Sequence, residues 1–258
     1  MPVIRAGRAP VHALVPAGIE ACLFDVDGVL TATAAVHAAA WKEMFDAFLA
    51  TRPAADGEDH RPFTLPGDYA THVDGRLRPD GVRAFLASRG IVLPEGTPGD
   101  PAEADTVHGL GARKNRLVVE IIASGAVAAF PGSVRYVEAV REAGLRRAVV
   151  SSSRNCAAVL AAAGIGDLFE VRVDGVVAAE RGLPGKPAPA MFLAAAAELG
   201  VAPARCAVFE DAVAGVRAGR RGGFGWVVGV DREGYAQVLA ESGADVVVDD
   251  LSDLMAPA

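Results

Sequence analysis

The chain is poor in cysteine: three in 258 residues, at Cys22, Cys156 and Cys206. The number is odd, and Cys22 and Cys206 lie in apolar, strand-like runs. They read as reduced packing residues, which excludes a disulfide framework and a cysteine-based metal site. Positive charge is also short. Lys plus Arg number 25 against 32 Asp plus Glu, for a net charge of −7. No broad basic face is expected, and no nucleic-acid partner. Long apolar runs are missing too. No segment approaches the ~20 residues a membrane span needs, and prolines break up the first stretch, "MPVIRAGRAPVHALVPAGIE". The expectation is a soluble, cytoplasmic protein with no membrane partner. Its oligomeric state stays open, with a monomer plausible.

What is present is a core-forming composition, 52% hydrophobic and 22% charged. From Val134 onward, short apolar strands alternate with helices. "RAVVSSS", "LFEVRVDG", "RCAVFED", "FGWVVGV" and "ADVVVDD" read as strands, and "VRYVEAVREAG", "NCAAVLAAAG", "PAPAMFLAAAAELG" and "AVAGVRAGRRGG" as helices. That alternation predicts a parallel sheet covered on both faces, an α/β core of Rossmann-like type. One further strand, "ACLFDV", stands more than a hundred residues upstream. The intervening "TAAVHAAAWKEMFDAFLA", "PDGVRAFLASRG" and "AEADTVHGLGARKNRLVVEIIASG" read as helices. The predicted organisation is a core of residues 1–33 and 129–258, interrupted after its first strand by a helical cap at 34–128. Trp41, Phe45 and Phe48 are expected to form the cap's core.

The first strand delivers two carboxylates in "CLFDVDGVLTATAAVHAAAW". Strand alternation puts Asp25 and Asp27 on one side, where they repel unless a cation or an electrophile lies between them. Sites in open parallel sheets form beyond the carboxyl ends of the strands. There this chain places Asp25 and Asp27, Ser151, and Glu210 with Asp211, and Lys186 sits in the loop "LPGKPAP". Oxygen ligands without a His or Cys cluster favour a hard ion such as Mg²⁺. A phosphoryl group would use the ion, the lysine, the hydroxyl and the "SSSRN" turn to neutralise its charge. One aspartate could attack phosphorus while the other protonates the leaving oxygen. "DVDG" could instead open a calcium loop, but the later acidic ligands are missing. His37 reads either as a packed cap histidine or as the group that orients Asp27. Arg78 and Arg154 read as solvated charges or as phosphate ligands.

"FDVDGVLTAT", "VVSSSRN", "GKPAP" and "VFEDAVAG", in that order, resemble the four motifs of the haloacid-dehalogenase-like (HAD) phosphotransferases. The resemblance implies a HAD-type core. Asp25 would be the nucleophile and Asp27 the general acid and base, with Ser151 and Lys186 on the transferring phosphate. Asp25, the Asp27 carbonyl and Asp211 would bind Mg²⁺, with Glu210 acting through water. Within the superfamily the chain is most similar to the β-phosphoglucomutase-like group, whose substrate is a small phosphorylated sugar. That likeness assigns substrate or distal-phosphate roles to His37, Trp41, Gly75, Arg78, Lys114, Ser153, Arg154 and Asn155. It implies conversion of β-glucose 1-phosphate into glucose 6-phosphate through an aspartyl phosphate. The alternative is a sugar-phosphate phosphatase. A phosphoacceptor signalling module is more distant, because its acidic pair precedes the acceptor and no aspartate follows at +2. Ala32, Asp74 and Ala212 depart from the group's pattern. Residues 1–19 and the loops 52–66 and 91–105 have no counterpart in the smaller mutases.

Overall fold

The first strand of the chain lies in the middle of its sheet. In the computed structural model, which describes residues 14–53, 55–124 and 127–255, β1 (Ala21–Phe24) is buried at every position. It pairs in parallel with β2 (Arg146–Val150) on one side and β4 (Cys206–Glu210) on the other. With β3 (Val171–Val173), β5 (Trp226–Val230) and β6 (Val246–Val248), the six-stranded order is β3-β2-β1-β4-β5-β6. A parallel strand covered on both faces must be apolar throughout, and "ACLF" is. The order reverses direction at β1, which opens a crevice beyond the carboxyl ends of β1, β2 and β4.

Two apolar layers cover the sheet. On one face Phe24 stacks on Phe209 with centroids 4.5 Å apart, and Tyr136 of α4 (Pro131–Glu142) closes edge-on. On the other, Leu23, Val150 and Val208 meet Met191 and Phe192 of α7 (Ala190–Leu199). The remaining core helices are α5 (Cys156–Ala162), α6 (Gly175–Arg181), α8 (Val213–Arg221) and α9 (Ala236–Ser242). The strand–helix alternation read from the sequence does not include α6 and α9. The α6 signals are in fact present: Asp174 caps its first turn by accepting from Val176 N and Val177 N, and Gly182 ends it at φ 63°.

Between β1 and α4 the chain builds the helical cap from α1 (Ala34–Thr51), α2 (Arg78–Ser88) and α3 (Val107–Ala123). Its separate aromatic core holds Trp41, Phe45, Phe48, Phe63 and Phe85. Helix α3 starts later than its apolar pattern suggests. Thr106 accepts from Gly109 N at 2.9 Å and donates to Asp100 at 2.6 Å, and this cap sets the start at Val107. Buried Arg89 ties down the loop 52–66 by donating to Asp59 at 2.6 Å and Asp68 at 2.8 Å. Among the described residues no helix is long and apolar enough to cross a membrane. The cysteines are free and buried. Residues 1–13 of the N-terminal segment lie outside the described residues, whereas Leu14 and Val15 pack into the core.

Candidate active site

Asp25 follows directly on β1, and its N–H still donates to Phe209 O at 2.9 Å. The strand pairing therefore fixes its backbone before the chain turns at Gly28, where φ is +86°. Lys186 arrives from the loop ahead of α7. Its Nζ donates to Asp25 Oδ1 at 2.6 Å and to Val150 O at 3.0 Å, and it also ion-pairs with Glu210. Lys186 and Glu210 are 1% and 0% exposed. Desolvation lifts the carboxyl of Asp25 to about 6 and that of Glu210 to about 7, although the nearby ammonium opposes both rises. Burial works against the charge on Lys186, but its two carboxylate partners raise its pKa overall. Asp211 is raised well above the carboxylate range, first by burial and then by its acidic neighbours Asp74, Asp25 and Glu210.

This cluster has more negative groups than one lysine can balance. Asp25, Glu210 and Asp211 each present an oxygen within 4.8 Å of the others. Glu210 Oε1 is the oxygen paired with Lys186, and its Oε2 accepts from Ala212 N at 3.1 Å. A Cβ on Gly28 would stand 1.8 Å from Asp211 Oδ2, so only glycine leaves that carboxylate its place. A set of hard oxygen donors carrying more negative charge than one ammonium balances, with room kept for Asp211 by Gly28, fits Mg²⁺.

Asp27, two residues on, points toward the cap. The Thr33 hydroxyl donates to its Oδ1, and Thr33 in turn contacts Thr31 Oγ1 at 2.8 Å. Lys114 Nζ donates to His37 Nδ1 at 2.8 Å. Burial, followed by the charges of Lys114 and Arg78, holds the His37 imidazole neutral. With Nδ1 accepting, the proton lies on Nε2. Nε2 faces Asp27 Oδ1 at 3.6 Å, too far for a hydrogen bond, and has no other partner. His37 is thus tied to Lys114 on the cap, and its Nε2 faces Asp27 without a hydrogen bond. Lys114 also lies 5.0 Å from the centroid of the Trp41 ring. Trp41 belongs to the cap core and lines the site as well.

Ser151 ends β2. Its backbone N–H donates to Val173 O at 3.1 Å, and its Oγ accepts from Ser153 N at 3.1 Å. Ser153 Oγ then accepts from Asn155 N at 3.2 Å, so the turn is held by its own side chains. Gly75 of the cap approaches this turn, and Ser152 Oγ donates to Gly75 O at 2.7 Å. Gly75 has φ +68°, and a Cβ there would lie 2.9 Å from Cβ of Ala212. Gly75 thus leaves the room in which Ala212 and the cap meet; nothing in the structure explains the departure at Ala212.

A partly open pocket of about 60 Å³ between cap and core is lined by Asp25, Asp27, His37, Arg78, Lys114 and Ser151, among others. A hexose carrying phosphate needs several times that volume. Arg78, the first residue of α2, is half-buried; burial first and Arg154 second push its guanidinium down to about 10. Arg154 is exposed and does not line the cavity; Asn155 Nδ2 donates to Asn115 Oδ1 of the cap at 2.9 Å. Thr33 and Asn115 were not singled out in the sequence. Thr33 lies in "FDVDGVLTAT" and Asn115 directly follows Lys114, and spacing alone does not reveal their contacts.

Carboxylates, a buried lysine and a serine at the strand ends, under a cap that closes over them, define an enzyme of the phosphoryl-transfer class. The chain belongs to the haloacid dehalogenase-like hydrolase family, whose model matches residues 19–223. It is 53% identical over 243 residues to a β-phosphoglucomutase of Mycobacterium tuberculosis, covering 93% of each chain. Among solved structures, it resembles a β-phosphoglucomutase of Clostridium difficile with a TM-score of 0.70 at 27% identity, covering 92% of this chain and 93% of that one. It also resembles a CbbY variant of Rhodobacter sphaeroides in complex with xylulose 1,5-bisphosphate, with a TM-score of 0.66 at 26% identity, covering 91% of this chain and 96% of the other.

Proposed function

We propose that this protein is a β-phosphoglucomutase, converting β-glucose 1-phosphate into glucose 6-phosphate with a hexose bisphosphate as the intermediate. The likeness over nearly the whole chain supports the activity. The observation that supports the substrate assignment is that Asn115 links Arg78 of the cap to Asn155 of the core, while Asp25 and Lys186 meet at the strand ends beside Ser151. The second group would take the transferring phosphate and the first the distal one.

In this reading the 6-hydroxyl of β-glucose 1-phosphate first attacks the phosphoryl group carried by Asp25, its proton passing to Asp27 as the aspartyl bond breaks, which gives the hexose bisphosphate. In the second half-reaction an Asp25 oxygen attacks the other phosphorus as its bond to the C1 oxygen breaks, and Asp27 returns the proton to that oxygen, releasing glucose 6-phosphate. Thr33 holds the Asp27 carboxyl, and His37 comes within hydrogen-bonding reach of it if the cap moves by a few tenths of an ångström. Lys186 holds Asp25 in line and, with the Ser151 hydroxyl, binds the phosphoryl oxygens. Asp25, the Asp27 carbonyl and Asp211 would hold Mg²⁺, with Glu210 behind them. Bound there, the ion would neutralise charge on the phosphoryl oxygens. The cap excludes water from the phosphoenzyme, which separates a mutase from a phosphatase.

Arg78→Ala tests the two-region reading. Isomerisation of β-glucose 1-phosphate should drop about 10²-fold, the cost of losing a bidentate charged contact, whereas hydrolysis of acetyl phosphate should fall far less. Equal loss of both activities would place Arg78 in the fold rather than on the second phosphate.

A further inference from the structure

One residue past Lys114, Asn115 joins the two halves of the second phosphate-binding region. Its Oδ1 accepts two hydrogen bonds, from Arg78 Nη2 at 2.7 Å and from Asn155 Nδ2 at 2.9 Å. The chemistry fixes the orientation of the amide. A guanidinium only donates, so the atom facing Arg78 is oxygen, and both of its lone pairs are used. The Arg78 stem runs along α3 past Gly111, where a Cβ would lie 3.3 Å from Arg78 Cδ. Arg78 and Asn115 are both on the cap, so their bond travels with it. The bond from Asn155 crosses to the core and forms only when the cap is down.

We propose that Asn115 is a positioning residue for the distal phosphate. It offers a neutral acceptor where an N–H of Arg78 and an N–H of Asn155 converge, holding both donors aligned before the phosphate takes them. A phosphate oxygen is charged and binds the same donors about twice as strongly as a carboxamide oxygen, so the exchange favours the substrate. Arg78 is thereby spared the ordering of a long, flexible side chain at the moment of binding. This inference rests on the mutase reading for its substrate, but its residue geometry does not depend on that reading.

A double-mutant cycle tests it. Asn115→Ala should raise KM for β-glucose 1-phosphate about tenfold, the worth of a hydrogen bond to a charged group, with a smaller change in kcat. In an Arg78→Ala background the same change should cost clearly less than in the wild type, because only the hold on Asn155 is left to lose. Asn115→Asp keeps size and acceptor but adds charge. It should raise KM at least as much, and should weaken inhibition by inorganic phosphate. A full, multiplicative effect in the Arg78→Ala background would overturn the proposal, as would an Asn115→Asp variant with wild-type KM. If the wild type released only inorganic phosphate, the mutase reading would fail. The same cycle run on hydrolysis of a hexose bisphosphate would still decide the role of Asn115.

Discussion

Lys186 Nζ and Asp25 Oδ1 lie 2.6 Å apart although 161 residues separate them in the chain. The contact depends on β1 and β4 being neighbours and on the loop before α7 folding over their ends. It gives the two carboxylates beside it a fixed positive partner in a place water does not reach. Removing Lys186 would leave Asp25 and Glu210 buried against each other without compensation.

The covalent role of Asp25 is testable by isosteric substitution. Asp25→Asn retains the shape but not the nucleophile, and should leave essentially no turnover. Asp27→Asn should instead lower kcat by ~10²–10⁴-fold, the usual worth of general acid–base catalysis. Near-native turnover of Asp25→Asn would exclude an aspartyl phosphate at that position.

Activity should vanish in EDTA and return with Mg²⁺. The ion should also stabilise the native state, by about 2.7 kcal/mol at a hundredfold excess over Kd. Asp211→Ala should shift both the activating Mg²⁺ concentration and this thermal stabilisation, while Cys156→Ala should shift neither. Full activity in metal-stripped protein would remove Asp211 from the metal site.

Lys114 sets a pH dependence on stability. Burial, and then the charge of Arg78, lower its pKa from 10.5 to about 7. The folded chain thus holds this proton less tightly than the unfolded one. The group opposes folding fully below pH 7, and the opposition fades as the pH rises to 10.5. Lys114→Met should therefore raise Tm near neutral pH, by a margin that shrinks as the pH approaches that of a free lysine. A margin that grows with pH would contradict the buried, destabilised ammonium, whatever the variant does to activity.

The strands were legible because a buried parallel strand admits little but apolar residues, and the isolation of "ACLFDV" announced the inserted cap. Helices α6 and α9, seven residues each, escaped because one or two turns carry too little periodicity to stand out. Carboxylates at strand ends could be read from position alone, since the sheet fixes where those ends go. Cap contacts could not. Lys114 reaches His37 across 77 positions, and Asn155 reaches Asn115 across 40, and no local pattern encodes such pairings. Arg78 and Arg154 looked alike in sequence; packing against α3 partly buries the first and leaves the second exposed.

The central claim is that phosphate leaves Asp25 for the sugar and not for water. The most direct measurement incubates the protein with β-glucose 1-phosphate, Mg²⁺ and a trace of hexose bisphosphate, and follows glucose 6-phosphate and free phosphate together. Glucose 6-phosphate should accumulate many times faster than inorganic phosphate. Release of inorganic phosphate at the rate of substrate loss, with no glucose 6-phosphate formed, would contradict the mutase account and make the protein a phosphatase.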